Sequence, residues 1–430
     1  MKIPKNLSQV ELKMSKEGVT GRSGLGWIVG SMKHYGLDKM IKSRFPRGGN
    51  RAIKTCEKIY SACMTMIAGG ERVEDIEILR ADQGLIDMLG WDQMMGADTY
   101  REFMKDKQNA GRIRKSNEEF TIKMMKDSDE WEFTYDNDAT YFDSAKQSAN
   151  WSYQGRKQFS GLLGFVSELG VCNTVDYRRG NISPQTGILN QLRKAVRQAK
   201  KAGKKIFRFR SDSAGHQDKL FEYCNEHEIE YYISLDKNEA IKVCISGIKE
   251  REWKPLLGKY QDQIATECAE SVYVTNKGNA MRILVLRWAN PNPDLFDTSP
   301  LCYHVIGTNN NEIDAMEWLE VHNGRMNSEN YNKEVKNGLG CEYTPSHDFQ
   351  MNRCYFLIGI LAYNILQAMK LFYFGEESRR WTVKTIRYRF IYVCGKIVKT
   401  GRKWICKIIN VTNEVFELYR NVKSKLIIIG

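Results

Sequence analysis

The sequence predicts an α/β fold with a mixed sheet, and three observations favour it. Apolar residues recur at helical intervals up to about residue 126, strand-type alternation begins near residue 130, and strands then alternate with helices to about residue 235. The chain has 430 residues, of which 42% are hydrophobic and 11% aromatic. This composition excludes a disordered chain, and the length allows about two or three structural units with cores of their own.

Residues 1–126 form the first predicted region, which is helical. Ile53, Ile59, Met64 and Ile67 are spaced as on one helix face, and the glycine pair at 69–70 ends the pattern. A helical DNA-binding or dimerisation unit fits this region, and so does any helical bundle.

Residues 127–239 read as a compact α/β core. Trp131, Phe133 and Tyr135 alternate with polar residues and predict the first strand. We predict further elements in this order: strands at 162–166 and 171–177, a helix at 186–201, a strand at 204–211, a helix at 217–226 and a strand at 229–235. The order β-β-β-α-β-α-β, with carboxylates at the ends of the first and fourth strands, is the skeleton of ribonuclease-H-like nucleases.

The rest of the chain divides into three further regions. Residues 240–308 read as a strand-rich insertion, with short apolar runs at 241–245, 272–275, 281–288 and 303–306 and a hairpin turn at 276–279. Residues 309–375 would complete the core, first with a helix from about residue 312, continuous or with one break, up to residue 336. An apolar helix follows at 355–374, and because it contains Asn364, Gln367 and Lys370 we interpret it as a buried helix and not a membrane span. Residues 376–430 predict a basic hairpin of strands at 387–393 and 396–404.

Charge points to a polyanionic partner. The formal net charge is +13, and residues 190–210 contain nine Lys or Arg and no acid. Residues 376–430 carry thirteen basic and four acidic residues, interleaved with aromatic ones. Cations bind phosphates and rings stack on bases, so a nucleic-acid surface is the favoured interpretation, and a solvated basic face is the alternative. The eleven scattered cysteines and the charged N-terminus, which lacks a signal peptide's apolar core, indicate the cytoplasm.

Three carboxylate motifs are candidates for catalysis. Asp136 and Asp138 lie on one face of the first strand, and Asp212 follows the buried strand at 204–211. Glu329 lies on a helical stripe with Arg325, Lys333 and Lys336. Taken singly, each motif also fits a structural role, namely a strand end, a helix cap and a solvated helix face.

The late helix carries a family resemblance. Arg325, Glu329 and Lys336 match the Tyr-x2-Arg-x3-Glu-x6-Lys signature of DDE transposases of bacterial insertion sequences, with His322 at the tyrosine position. The run from Glu329 to Lys336 resembles the insertion-sequence-1380 family of the insertion-sequence-4-like group. The segments 136–140 and 210–213 are similar to that family's two aspartate motifs. The insertion and the basic hairpin also match its arrangement.

The resemblance implies a DNA transposase that cuts the ends of its own element and joins them to target DNA by two-metal-ion phosphoryl transfer. Asp138, Asp212 and Glu329 would be the catalytic metal ligands, with Asp136 as the alternative first ligand. An all-carboxylate set selects two Mg²⁺ ions, for which Mn²⁺ can substitute.

Arg325, Lys333 and Lys336 would hold DNA phosphates. The expected partners are double-stranded DNA, at the terminal inverted repeats and the target, and a second copy of the chain, without a membrane. The alternative function is a catalytically inactive, transposase-derived DNA-binding protein.

Overall fold

The computed structural model describes residues 13, 17–46, 49, 52–256, 267–291 and 300–428. The chain divides into two compact units, one made of Met1–Lys42, Pro46–Phe103 and Met369–Gly430, the other of Ser43–Phe45 and Met104–Ala368. The helices are α1 Ser23–Tyr35, α2 Leu37–Arg44, α3 Thr55–Ile67, α4 Ile76–Arg80, α5 Gln83–Leu89, α6 Ala97–Lys105, α7 Asn109–Asp127, α8 Ile188–Lys201, α9 Asp218–Glu226, α10 Glu239–Ser246, α11 Ala315–Asn323, α12 Met326–Lys333, α13 Phe349–Ala368, α14 Val383–Ile386 and α15 Asn413–Ile428.

The strands are β1 Val19–Thr20, β2 Glu132–Asp143, β3 Asn150–Trp151, β4 Lys157–Val166, β5 Val171–Arg179, β6 Lys205–Ser211, β7 Glu230–Ser234, β8 Lys254–Pro255, β9 Glu267–Val274, β10 Ala280–Ala289, β11 Leu301–Thr308, β12 Gly395–Thr400 and β13 Lys403–Ile408. A π-helical turn, Glu334–Gly338, follows α12, and two more, Met369–Tyr373 and Arg387–Ile391, follow α13 and α14.

The larger unit is built on one mixed sheet, as the sequence predicts. Its strand order is β3-β4-β2-β6-β7-β11-β10-β9-β8, and β5 pairs with β4 on a side branch. β2, β6 and β7 run parallel to one another, whereas β4 and β5 are antiparallel to their neighbours. The elements from β2 to β7 follow the predicted order, with the short β3 added before β4. The parallel centre brings the ends of β2 and β6 to the same edge of the sheet.

Apolar strands and one long helix form the core of this unit. β4 is buried along almost its whole length, and α13 is buried on all sides. Phe356 of α13 contacts Phe142 of β2 with ring centroids 5.1 Å apart. The stretch Phe349–Tyr373 is long and apolar enough to cross a membrane, but 83% of its most apolar window is buried inside the protein, as in a core helix.

The insertion extends the same sheet. β11 pairs antiparallel with β7, and the predicted turn at 276–279 joins β9 to β10, with Gly278 at a φ of +85°. The run at 241–245, predicted as part of the strand-rich region, is instead helical within α10. The Asn238 side chain caps this helix by accepting a hydrogen bond from the Ile241 N–H, and an N-cap of this kind favours helix over strand.

The smaller unit combines helices with a three-stranded sheet of order β1-β12-β13. α1 and α3 bury most of their side chains, which agrees with the predicted helical character of the N-terminal region. The prediction of a strand at 387–393 is wrong, since Arg387–Ile391 is helical. The buried residues of this run follow helical spacing, since Ile386 and Phe390 are buried four residues apart while Tyr388 between them is exposed. The hairpin lies later, between β12 and β13, and turns at Gly401 with a φ of +61°.

Candidate active site

Two aspartates end up side by side because of the register between β2 and β6. Asp136 lies opposite Arg210 and Asn137 opposite Ser211, so Asp138 and Asp212 are the next residues of the two parallel strands. Neighbouring strands are about 5 Å apart, which makes the two aspartates neighbours. β6 ends at Ser211, while β2 continues to Asp143. Asp138 is therefore where β2 loses β6 as a neighbour, while its pairing with β4 continues.

Asp136 is committed to an ion pair. Arg210 donates from Nε to Oδ1 of Asp136 over 2.6 Å and from Nη2 to Oδ2 over 2.8 Å. Asp136 is fully buried and Arg210 is almost so. A carboxylate held by a bidentate arginine has both oxygens occupied, so Asp138 fits the first-ligand role better than Asp136 does.

Asp212 combines a structural contact with partial exposure. Its Oδ1 accepts a hydrogen bond from the Ala214 N–H over 3.1 Å and so caps the helical turn Ser213–Gly215. The cap lies directly after the strand and not at the start of α9, where the alternative interpretation placed it. The cap hydrogen bond to Oδ1 leaves acceptor capacity on the partly exposed carboxylate.

The carboxyl of Asp138 is electrostatically strained by its surroundings. Burial, and next the negative charge of Asp212, raise its pKa from 3.8 to about 6. Arg325 lowers this pKa, Glu329 raises it, and a hydrogen bond from Asn332 lowers it again. The other two predicted acids and Arg325 thus act on the Asp138 carboxyl group. Such clustering of acids favours either protonation or a bound cation.

A break in the predicted late helix is caused by Arg210. The sequence predicts helix from about Glu312 through Lys336, continuous or with one break, and the structure has the break: α11 ends at Asn323 and α12 begins at Met326. The Arg210 guanidinium donates from Nη1 to the Val321 carbonyl over 2.8 Å. A Cβ at Gly324 would lie 2.0 Å from Nη1, so only glycine admits this approach.

The predicted signature residues of α12 have different environments. Arg325 and Glu329 form an i,i+4 ion pair of 2.7 Å, in which Glu329 is about half exposed and Arg325 mostly buried. Lys333 is exposed to solvent at the end of α12. Lys336 lies beyond it in the π-helical turn and donates from Nζ to the Tyr141 carbonyl of β2 over 3.0 Å. Glu329 acts on Asp138 electrostatically, while Lys336 reaches the same strand further on.

Asn332 is a site residue that the sequence reasoning missed. It donates from Nδ2 to Oδ2 of Asp138 over 2.7 Å and is only 6% exposed. Among the described residues its Oδ1 is buried without a hydrogen-bond partner. The neighbouring Tyr331 donates to the Ser167 carbonyl over 3.2 Å and fixes the helix against the sheet. Asn332 lies three residues after Glu329, and this helical spacing was the available signal.

His322, at the tyrosine position of the signature, is a neutral buried side chain. Its Nε2 lies 3.1 Å from Oγ of Ser234, and its ring lies 5.8 Å from that of His304. Burial, followed by the positive charges of His304 and Arg325, lowers its pKa to about 3. The His322 imidazole is therefore buried and uncharged at neutral pH.

The oxygen atoms of the candidate site are the ligand type that a hard divalent cation prefers, but they do not surround one common position. Asp138, Asp212, Glu329 and the Asn332 carboxamide offer oxygen only, which suits Mg²⁺. In the described parts of the chain, no three His, Cys, Asp or Glu side chains come together closely enough to hold a metal ion. Glu329 is turned to Arg325 in this arrangement. The two aspartates are thus the formed part of the site.

Comparisons with known proteins give the family. Residues 3–426 match the family described as "Transposase DDE domain group 1". Among solved structures, the cryo-EM structure of the piggyBac transposase synaptic complex with hairpin DNA matches 96% of this chain and 83% of that chain, at 10% sequence identity and a TM-score of 0.45. A comparison with curated proteins finds no match. Because the family match spans almost the whole sequence, this chain belongs to the DDE transposase domain group 1 family.

Proposed function

We propose that this transposase cleaves the ends of a bacterial insertion sequence and joins them to target DNA by two-metal-ion phosphoryl transfer. The observation that carries the proposal is that Asp138 and Asp212 directly follow Asn137 and Ser211, the last paired residues of the parallel strands β2 and β6. Like charges on neighbouring strands destabilise a fold unless a cation or a proton offsets them. Their position at an open sheet edge is where α/β folds place ligands.

The proposal includes a ribonuclease-H-like core and membership of the insertion-sequence-1380 family. The spatial order β5-β4-β2-β6-β7, with a parallel centre and two antiparallel outer strands, supports such a core. The insertion β8–β11 lies in the chain between Asp212 and Glu329, as the resemblance implies. The chain would act in the bacterial cytoplasm as a dimer that pairs two inverted-repeat ends.

The proposed metal ligands are Asp138, Asp212 and Glu329, and Asn332 supports them. When bound, Mg²⁺ or Mn²⁺ ions supply positive charge to the attacking hydroxyl and to the leaving 3′-oxygen. Asn332 holds Oδ2 of Asp138 and so orients the carboxylate. Arg325 offsets part of the negative charge while Glu329 is not ligated.

The cations of the late helix are the proposed phosphate contacts. Lys333 is exposed one helical turn after Glu329, and Lys336 donates to the Tyr141 carbonyl of β2. Arg325 is paired with Glu329 and also acts electrostatically on Asp138. Cations at these positions would hold the DNA backbone across the pair of aspartates and orient the scissile phosphate.

Cleavage of natural ends tests the function. The substrate is a supercoiled plasmid that carries the reading frame with its flanking genomic DNA, incubated with purified protein and Mg²⁺. We expect Asp138→Asn, Asp212→Asn and Glu329→Gln each to lower cleavage at the element ends at least about 10³-fold, since losing a ligand loses the metal. Glu317→Gln, an exposed glutamate on α11, is the matched control and should match wild type.

Two results would overturn the assignment. Wild-type cleavage by Asp212→Asn would remove Asp212 from the site. Full activity of Asp138→Asn together with inactivity of a folded Asp136→Asn protein would exchange the first ligand. Specific binding of end DNA without cleavage by the wild type in Mg²⁺ or Mn²⁺ would favour the inactive DNA-binding protein.

A further inference from the structure

The β12–β13 hairpin of the smaller unit carries positive charge that ion pairs leave largely unbalanced. Its stretch from residue 395 to residue 413 contains five cations and no acid: Lys396, Lys399, Arg402, Lys403 and Lys407. Lys396 lies 3.8 Å from Glu17, and Lys399 lies over the Trp404 ring. Among the described residues, Arg402, Lys403 and Lys407 have no ion-pair partner. The hairpin therefore presents positive charge that an anionic partner can bind.

The hairpin is a two-stranded ribbon over most of its length. β1 pairs only with Gly395 and Lys396, so from residue 397 to residue 408 the described sheet has two strands. At the anchored end, the Ser23 hydroxyl of α1 donates to the Val393 carbonyl over 2.8 Å. At the far end, Gly401 is the first of two turn residues and has a φ of +61°, as a type II′ turn requires. Such a turn matches the twist of the strands and keeps the ribbon regular.

The two faces of this ribbon have different surroundings. Gly395 and Ile397 share one face, and a Cβ at Gly395 would lie 2.6 Å from Cβ of Ser23. This inner face is therefore turned toward α1. A groove of about 680 Å³ on this side is lined mainly by apolar residues, and Lys403 and Ile405 of the edge strand also border it. The opposite, outer face points away from α1.

The outer face is basic with an apolar centre. Three cross-strand pairs form it: Lys396 with Lys407, Val398 with Ile405, and Thr400 with Lys403. Lys403 and Lys407 are exposed, and Ile405 is 41% exposed. Like charges directly opposite each other destabilise a β ribbon, so Lys396 and Lys407 favour an anion beside them. Ile405 adds an apolar contact between the lysines.

The dimensions and chemistry of the outer face match the major groove of DNA. Neighbouring strands are about 5 Å apart, and a two-stranded ribbon fits the major groove, which is about 12 Å wide, but not the minor groove of about 6 Å. A lysine ammonium donates to the O6 and N7 acceptors of guanine, and an apolar side chain contacts the thymine methyl group. Each strand has 6 residues. Such a strand spans about 20 Å, the length of about six base pairs, so the outer face can contact a short duplex sequence.

We propose that the β12–β13 hairpin lies in the major groove of duplex DNA and recognises its sequence through Lys403, Ile405 and Lys407. Arg402, at the turn, contacts a phosphate beside the groove. The proposal rests on the proposed transposase function, which it deepens by assigning recognition of the element ends to this hairpin.

Binding without cleavage tests the hairpin. The probes are tiled duplexes of the genomic DNA that flanks the reading frame, each with a shuffled duplex of equal composition, measured by fluorescence anisotropy in EDTA. We expect wild type to bind one tile on each side at least about 10²-fold more tightly than its shuffled counterpart. Lys403→Ala/Lys407→Ala should lower the affinity for these tiles about tenfold or more, and the affinity for shuffled DNA less than about threefold.

Modified bases separate base contacts from phosphate contacts. Tiles made with 7-deazapurines lack the N7 acceptors of the major groove, while their phosphates and minor groove are unchanged. We expect this change to weaken wild-type binding about tenfold and to leave binding by the double alanine variant unaltered, because both changes remove the same contacts. Lys403→Arg/Lys407→Arg should keep the preference for the natural tiles, since arginine also donates to guanine O6 and N7.

Lys39→Ala/Lys384→Ala is the matched control. Both lysines are exposed and belong to the smaller unit, but they lie on α2 and α14 and not on the hairpin. This variant removes the same charge and should keep the preference for the natural tiles. Asp212→Asn should keep it too, so a failure of the catalytic proposal in Mg²⁺ is seen separately.

Four results would overturn the role of the hairpin: equal wild-type affinity for natural and shuffled tiles, no effect of 7-deazapurines on wild type, an unchanged preference in Lys403→Ala/Lys407→Ala, or an equal loss in the control. Circular dichroism melting checks the folding of each variant.

Discussion

Two neighbouring residue pairs on β2 and β6 differ sharply in charge. The inner pair, Asp136 with Arg210, joins opposite charges that are buried and linked by two hydrogen bonds. The outer pair, Asp138 with Asp212, brings like charges together two residues further along, beyond Asn137 and Ser211, in partial contact with solvent. The strands carry both pairs on the same face, because side chains alternate with a period of two.

The difference teaches that one strand register can place a stabilising ion pair, Asp136 with Arg210, and two residues later a pair of candidate metal ligands, Asp138 and Asp212. A buried pair stabilises only if every charge is matched, which is so for the inner pair. The outer pair is unmatched, and a protein retains such an arrangement at functional sites, where a ligand supplies the missing charge. The predictions that follow alter one pair at a time.

Breaking the inner pair should have the largest effect on stability. Asp136→Asn leaves the Arg210 charge buried without its counter-ion, and we expect the free energy of unfolding to fall by about 3–5 kcal/mol. Urea unfolding at pH 7.5 measures it. The double variant Asp136→Leu/Arg210→Met should recover most of the loss. If Asp136→Asn is as stable as wild type, the buried Asp136–Arg210 ion pair does not stabilise the contact between β2 and β6.

Neutralising Asp138 of the outer pair should raise the free energy of unfolding, whereas breaking the inner pair lowers it. The folded pKa of Asp138, about 6, lies above its ordinary value of 3.8, so the folded state loses stability as pH rises between these values. In EDTA at pH 7.5, Asp138→Asn should be about 2 kcal/mol more stable than wild type, after allowance for partial exposure. The gap should close below about pH 4.

Unfolding curves between pH 4 and 8 measure this gap, and Mg²⁺ provides the control. Added Mg²⁺ should stabilise wild type and leave Asp138→Asn unchanged, because only the charged carboxylate binds the ion. A pH-independent gap, or a less stable variant, would contradict the electrostatic account of the outer pair.

Removing the Asn332 side chain, which holds Asp138 of the outer pair, should have the smallest effect, and it should be seen in the Mg²⁺ requirement. Asn332→Leu deletes the hydrogen bond to Asp138, which holds its pKa down and orients it. We expect the Mg²⁺ concentration for half-maximal cleavage to rise about tenfold at pH 7.5. Asn330→Leu, an exposed neighbour on α12, serves as the control. Equal Mg²⁺ requirements for the two variants would remove Asn332 from the site.

Alternating or continuous apolar residues predicted the strands of the core, because such strands bury one face or both faces of the sheet. Trp131, Phe133 and Tyr135 alternate with polar residues, and β2 follows. The same reasoning failed at 387–391, because basic and aromatic residues alternate there by chance while Ile386 and Phe390 share a helix face. The short, mostly apolar run at 241–245 was equally ambiguous, and the Asn238 cap favours helix there.

The site was predictable in part. Alternation puts Asp136 and Asp138 on one face, but the choice between them depends on which residue faces Arg210 across the sheet. That register is set by tertiary packing, and the sequence does not show it. Asn332 likewise becomes visible only when α12 is placed against β2.

The glycine at 324 has a consequence for how the acids can move. Because residue 324 has no side chain, Arg210 of β6 can donate a hydrogen bond to the Val321 carbonyl in the last turn of α11, and it also donates to Asp136 of β2. One guanidinium therefore ties two strands to the start of the segment that bears Glu329. A shift of β6 that displaced Asp212 would therefore also move this junction, so the two contacts of Arg210 couple the position of the second acid to that of the third.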